Sequence, residues 1–161
     1  GYILMNILMI GYLNNVWIHV PDSTCPVGWT ALGSSIYYIS KATNDWSHSR
    51  KDCQERGADL VVINSREEQN NFITHIGAIE NVTLHSDRVW TGLVNDPWNW
   101  SDQSNSEFRN WKSNSPNTLT PAEKCVTVKR ADKKESWNIE SCEKKHPFIC
   151  HESEQSFTSS L

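Results

Sequence analysis

The chain is predicted to fold as one α+β domain, in which two amphipathic helices lie beside small antiparallel β-sheets and a long polar loop separates the later strands. Three observations point there. Two stretches carry helix caps followed by a helical apolar stripe; several short runs rich in β-branched and aromatic residues are bounded by turn residues; and five cysteines lack any metal-type spacing. With 161 residues, 37% of them hydrophobic, the chain can fill one core and leaves no room for a second domain.

The first hairpin sets Trp29 and Thr30 against Ile36, Tyr37, Tyr38 and Ile39, with turn chemistry from Gly28, Gly33 and Ser34. Asn44 or Asp45 caps a helix that runs to Arg56 and stops at Gly57. Trp46, Ser49, Arg50 and Cys53 share one face of it, so Cys53 points toward the core. A short buried strand, residues 60–63, follows. The second helix starts at Ser65, whose hydroxyl caps while Glu68 reaches back, and Phe72, Ile73 and Ile76 form its stripe. Val89, Trp90, Thr91, Gly92 and Leu93 read as a strand. Residues 94–124 are rich in Asn, Ser, Asp and Pro, and a loop of that length is usually functional or disordered. Cys125, Val126, Thr127 and Val128 alternate as a strand, and two short strands, at Trp137 and at Phe148, Ile149 and Cys150, close the domain. Most of the eight tryptophans are expected in the core, since each buries a large apolar area.

Composition narrows the function. A net charge of -4 argues against a phosphate-tracking surface, so no nucleic acid is expected as partner. Disulfides persist in oxidising compartments, which points to the secretory pathway, and sequons at Asn81 (NVT) and Asn99 (NWS) suit that address. No enzyme is expected: the chain holds no G-x-S-x-G, no H-E-x-x-H and no glycine-rich phosphate loop, so no catalytic residue is assigned. His19, His48, His75, His85, His146 and His151 are scattered, and Glu67 with Glu68 reads as a solvated helix face. Residues 1–24 are expected to be a stalk or the remnant of a signal or anchor segment. Their apolar run, residues 2–13, is shorter than the roughly 20 residues a spanning helix needs, and the alternative is a strand or stalk on the domain edge. Residues 152–161 are expected to be a flexible tail.

Together, CPVGWT from Cys25, WSHSRKDCQERGADLVVINSREEQNNFI from Trp46, VWTGL from Val89, the Trp137 and Asn138 step, and the C-x7-C of Cys142 and Cys150 resemble the C-type lectin-like domain family. The likeness covers residues 25–151 and is strongest to vertebrate immune receptors of the macrophage and dendritic-cell type. It implies the C-type lectin-like fold with two core disulfides, Cys53 with Cys150 and Cys125 with Cys142, each contributing about 3 to 5 kcal/mol in the chain-entropy model. In many relatives a further cysteine stands where this chain has Ile36, so Cys25 is left unpaired: a free thiol or a link to a second chain, giving a disulfide-linked dimer.

Sugar binding in the family, as the resemblance implies, uses a calcium ion held by a Glu-Pro-Asn motif, a later Glu and a Trp-Asn-Asp step. Calcium takes six to eight oxygens, and its open positions accept two sugar hydroxyls. The matching positions here are Ser115, Pro116 and Asn117, then Glu123, then Trp137, Asn138 and Ile139. Asn117, Glu123 and Asn138 remain as metal and carbohydrate ligands, while Ser115 and Ile139 replace two carboxylates. Asn117 and Asn138 equally suit loop hydrogen bonding, and Pro116 a turn. Calcium binding is therefore expected to be weak, and Glu140 stands one residue late to rescue it. Lys112 and Lys124 flank the site and disfavour a cation. The resemblance implies an extracellular domain, at the cell surface or secreted, binding a glycan or protein ligand on cells or pathogens. The alternative is a calcium-independent receptor or ligand domain recognising protein or acidic ligands.

Overall fold

The computed structural model describes residues 25–32, 35–78, 87–94, 97–113, 123–129 and 137–153. Residues 1–24 and 154–161, where a stalk and a tail are expected, lie outside the described residues, as does the sequon at Asn81.

Strands β1 (Trp29–Leu32) and β2 (Ser35–Ile39) form the opening hairpin, with Trp29 opposite Tyr38. Helix α1 (Trp46–Glu55) follows, and of the two cap candidates it uses Asp45, whose carboxylate accepts the His48 backbone N–H at 3.0 Å. Asn44 pairs instead with His146 in an isolated bridge. Trp46, Ser49 and Cys53 are buried, as their shared face requires, and Gly57 beyond the helix takes φ +81, which L side chains resist.

Strand β3 is only Asp59–Leu60, shorter than the strand expected over residues 60–63. Val61, Val62 and Ile63 are buried, but Val61 divides its backbone between two partners. Its N–H donates to the Ile149 carbonyl at 2.9 Å, and its own carbonyl accepts the Gly92 N–H at 2.9 Å. Helix α2 (Arg66–Ala78) begins with Ser65 Oγ accepting the Glu68 N–H at 3.1 Å. Glu68 reaches one residue further back than a capping box would, accepting the Asn64 N–H at 2.8 Å. Phe72 is buried; the side chains of Ile73 and Ile76 are outside the described set.

The remaining strands are β4 (Arg88–Val94), β5 (Asn99–Trp100), β6 (Glu123–Lys129), β7 (Trp137–Ser141) and β8 (Ile149–Ser153). They assemble into two four-stranded antiparallel sheets, in the orders β1-β2-β8-β3 and β5-β4-β6-β7. Strand β8 runs on through Glu152 and Ser153, residues whose polarity places them in a tail, because their backbones pair with Ile36 and Ser35. The polar stretch from residue 94 likewise contains β5, paired to β4, and a bridge from Trp111 to Trp137.

Two disulfides clamp this frame. Cys53–Cys150 ties α1 to β8, and Cys125–Cys142 ties β6 to the turn after β7. One buried cluster joins Val61, Phe72, Val89, Leu93, Trp100, Val126 and Trp137, and a second joins Trp46, Leu60, Trp90 and Phe148 with the disulfide sulfurs. Gly92 sits at the seam: a Cβ there would lie 2.6 Å from Ser101 Oγ and 3.0 Å from the Leu60 carbonyl oxygen.

Candidate functional site

Trp137 organises the base of the polar stretch. Its ring is fully buried, and its Nε1 donates to Gln69 Oε1 at 2.6 Å. Its backbone N–H donates to the Asn110 carbonyl at 3.0 Å, while its carbonyl accepts the Lys112 N–H at 2.8 Å, so the segment around Trp111 lies against β7. Trp100, Phe108 and Trp111 each meet the Trp137 ring nearly edge-on, at 5.7, 5.7 and 5.8 Å between centroids. Such T-shaped contacts suit the ring quadrupoles. Two arginines tie the stretch down: Arg66 donates to Asn110 Oδ1 at 2.7 Å, and Arg109 to the carbonyls of Trp98, Ser106 and Phe108. Neither Gln69 nor Arg66 stands out in sequence, because each acts through a partner distant along the chain.

Of the residues expected to hold calcium, Asn138 and the Glu123 backbone are among those described. Asn138 lies on β7 opposite Thr127 of β6, and the Glu123 backbone opens β6 opposite Ser141. The Glu123 side chain is not among those described, and Ser115, Pro116 and Asn117 lie outside the described residues. Ile139 is half-buried opposite Val126. Lys112 is exposed beside them. Among the described residues no three of His, Cys, Asp and Glu converge at metal-binding distance.

Glu140 behaves differently from its expected place one position late. Alternate residues of a strand share a face, so Glu140 stands beside Asn138, whose Nδ2 donates to Glu140 Oε1 at 2.8 Å. The other oxygen, Oε2, accepts Lys144 Nζ at 2.6 Å. Burial raises the Glu140 pKa, but the hydrogen bonds from Lys144 and Asn138, and then the Lys144 charge, outweigh it and leave the carboxyl below its ordinary value. The carboxylate is thus buried, charged and doubly hydrogen-bonded.

Elsewhere, Cys25 is a half-buried free cysteine and Asn99 is exposed between a half-buried Trp98 and a buried Trp100. His48 bonds the Asp45 cap, His146 meets Trp90 edge-on, and His151 stacks on Tyr37.

Comparison with known proteins fits this frame. The family model described as the Lectin C-type domain matches residues 42–152. The galactose-specific lectin nattectin of Thalassophryne nattereri is 34% identical over 132 residues, covering 80% of each chain. C-type lectin domain family 4 member C of Homo sapiens is 39% identical over 136 residues, 80% of this chain and 59% of that one. Several curated relatives are matched over less than two thirds of their own length. Among solved structures, a calcium-independent type II antifreeze protein superposes with a TM-score of 0.66 at 26% identity, over 80% of this chain and 94% of that one.

Proposed function

The chain belongs to the C-type lectin domain family, and from that premise we propose that it is an extracellular recognition domain that binds glycans at a site where calcium contributes weakly. Glycan binding is typical of the family, and its members are in general not enzymes; we extend both statements to this chain. The observation that carries the reading is Ile139. An apolar, half-buried side chain on β7, opposite Val126 in register, stands where the family pattern has a carboxylate, and calcium affinity follows carboxylate count. Asn117, Glu123 and Asn138 then form the remaining ligand set, with Ser115 as the second lost carboxylate.

A second reading has its own support. The likeness to an antifreeze protein described as calcium-independent indicates that this scaffold can work without the ion, and exposed Lys112 adds positive charge beside β7. That reading is a calcium-independent receptor or ligand domain for protein or acidic ligands. A glycan array probed with and without chelator separates the two, alongside a calorimetric calcium titration of the natural chain and of a Ser115→Glu, Ile139→Asp double variant. The first reading expects glycan signals that weaken when calcium is chelated, a natural calcium Kd of about millimolar or weaker, and calcium binding strengthened by about tenfold or more in the double variant. Sub-millimolar calcium binding by the natural chain would overturn it; a blank array turns the assignment to the second reading.

The same proposal assigns residues 25–151 to the recognition domain, residues 1–24 to a stalk or a signal or anchor remnant, and an N-glycan to Asn99, whose side chain is exposed. It also takes Cys25 as the link of a disulfide-bonded dimer on the cell surface or in secreted form. Non-reducing electrophoresis should show a dimer that Cys25→Ser abolishes; monomer alone, with one titratable thiol per chain, removes the dimer.

A further inference from the structure

We infer that Lys144 is a built-in counter-cation of this site: its ammonium occupies the Glu140 carboxylate, which in turn holds the Asn138 amide, so the charge compensation that calcium supplies elsewhere in the family is internal here. The inference rests on the glycan-site reading for the location of Asn138, and it names a residue outside the family's ligand pattern.

The support is geometric. Asn138 Nδ2 donates to Glu140 Oε1 at 2.8 Å, and Lys144 Nζ donates to Glu140 Oε2 at 2.6 Å, which makes one chain of charge-assisted hydrogen bonds. The Glu140 side chain is 8% exposed and that of Lys144 59%, so the carboxylate is inside while the ammonium reaches it from solvent. The turn that carries Lys144 is anchored. Lys144 N–H donates to the Ser141 carbonyl at 3.1 Å, the Cys142 carbonyl accepts the Trp46 N–H at 3.0 Å, and Cys142 is bonded to Cys125. The turn thus holds the Lys144 backbone beside β7, within reach of the Glu140 carboxylate.

Two consequences oppose a divalent cation. Glu140, the one carboxylate in contact with Asn138 among the described residues, is already neutralised. A calcium ion near Asn138 would also be repelled by the ammonium, over a distance too short for salt to screen fully. Asn138, with its amide directed inward to Glu140, keeps its Oδ1 to accept a ligand hydroxyl with no metal involved. Lys144 is a positioning residue in this scheme; the contact with ligand is made by Asn138.

The test is a calorimetric titration of the full chain with calcium chloride alone, on the natural protein, Lys144→Met, Lys144→Arg, and Lys144→Met combined with Glu140→Gln. Lys144→Met should bind calcium about tenfold or more tightly than the natural chain, because it removes a nearby positive charge and frees a carboxylate oxygen. Lys144→Arg, which keeps the charge and the hydrogen bond, should stay within about twofold of the natural chain, and Glu140→Gln should erase the gain. Thermal melts and intact mass under non-reducing conditions verify that each variant is folded with both disulfides. A Lys144→Met protein whose calcium affinity matches the natural one, or is undetectable, overturns the inference, as does a gain that survives Glu140→Gln. These outcomes compare variants, so they judge Lys144 independently of the glycan array that judges the parent reading.

Discussion

At the scale of single residues, the backbone after β5 offers a direct test. Gln103 has φ 65, the left-handed region where a side chain is strained, and it is held there by its N–H donating to the Trp100 carbonyl at 3.0 Å. Asp102 closes the same turn by accepting the Ser104 N–H at 2.9 Å. Replacing Gln103 with glycine should stabilise the domain by about 1 kcal/mol, read as a rise in the midpoint of chemical denaturation, since glycine adopts this conformation without a steric cost. A midpoint that stays or falls would show that the unfolded chain gains as much freedom from the glycine as the turn loses strain. Residue-level chemistry was unevenly legible. Gly57 announced its left-handed place by ending a helical pattern, whereas nothing in the local sequence distinguishes Gln103. Lys144 was equally silent, because its partner Glu140 lies on a strand and the pairing depends on how the next turn folds back.

At the scale of elements, the sheet β1-β2-β8-β3 carries a pH dependence. His151 on β8 stacks on Tyr37 of β2 at 4.9 Å between centroids, lies opposite Asp59 of β3, and buries its Nε2 with no hydrogen-bond partner among the described residues. Burial lowers its pKa, with Asp102 acting the other way; His146, half-buried with Trp90 edge-on to its ring, is lowered by desolvation too, opposed by Glu140 and Asp87 and reinforced by Lys144 and Arg88. A histidine whose folded pKa is lowered leaves the unfolded chain holding the extra proton, so stability is full above the unfolded value of about 6.5 and is lost as pH falls from there toward the folded value. The melting temperature should fall between pH 7.5 and 5.5, and His151→Phe, which keeps the stack and removes the proton site, should flatten part of that slope. An unchanged slope in His151→Phe would remove His151 from the account. The helices were readable from caps and period: Asp45 caps α1, Ser65 and Glu68 start α2, and Cys53 faces inward. Strands β3 and β5 were misjudged in length or missed, because each is two residues long and exists through its partners, β8 and β4. A strand that short has no periodicity to read.

At the scale of the whole molecule, the two sheets meet at a seam where Val61, Gly92, Trp90 and Pro147 exchange backbone hydrogen bonds, and the two disulfides close spans of 97 and 17 residues on either side of it. The α+β class, the inward cysteine of α1 and the aromatic core all followed from the sequence alone, because caps, turn residues and apolar period act locally or through composition. The cysteine pairing did not follow from spacing; the family resemblance implied it, and the folded chain makes it. The proposal that Ser115 and Ile139 stand in for two carboxylates rests on their positions in the family pattern alone. Only the tertiary structure decided that Glu140, a buried acid one place late in that pattern, shares a strand face with Asn138 and is met by the ammonium of Lys144. The physical reason is that strand alternation sets which side chains share a face, but a charge partner is chosen by where the following turn returns the chain, and that depends on the disulfide and the helix that anchor it.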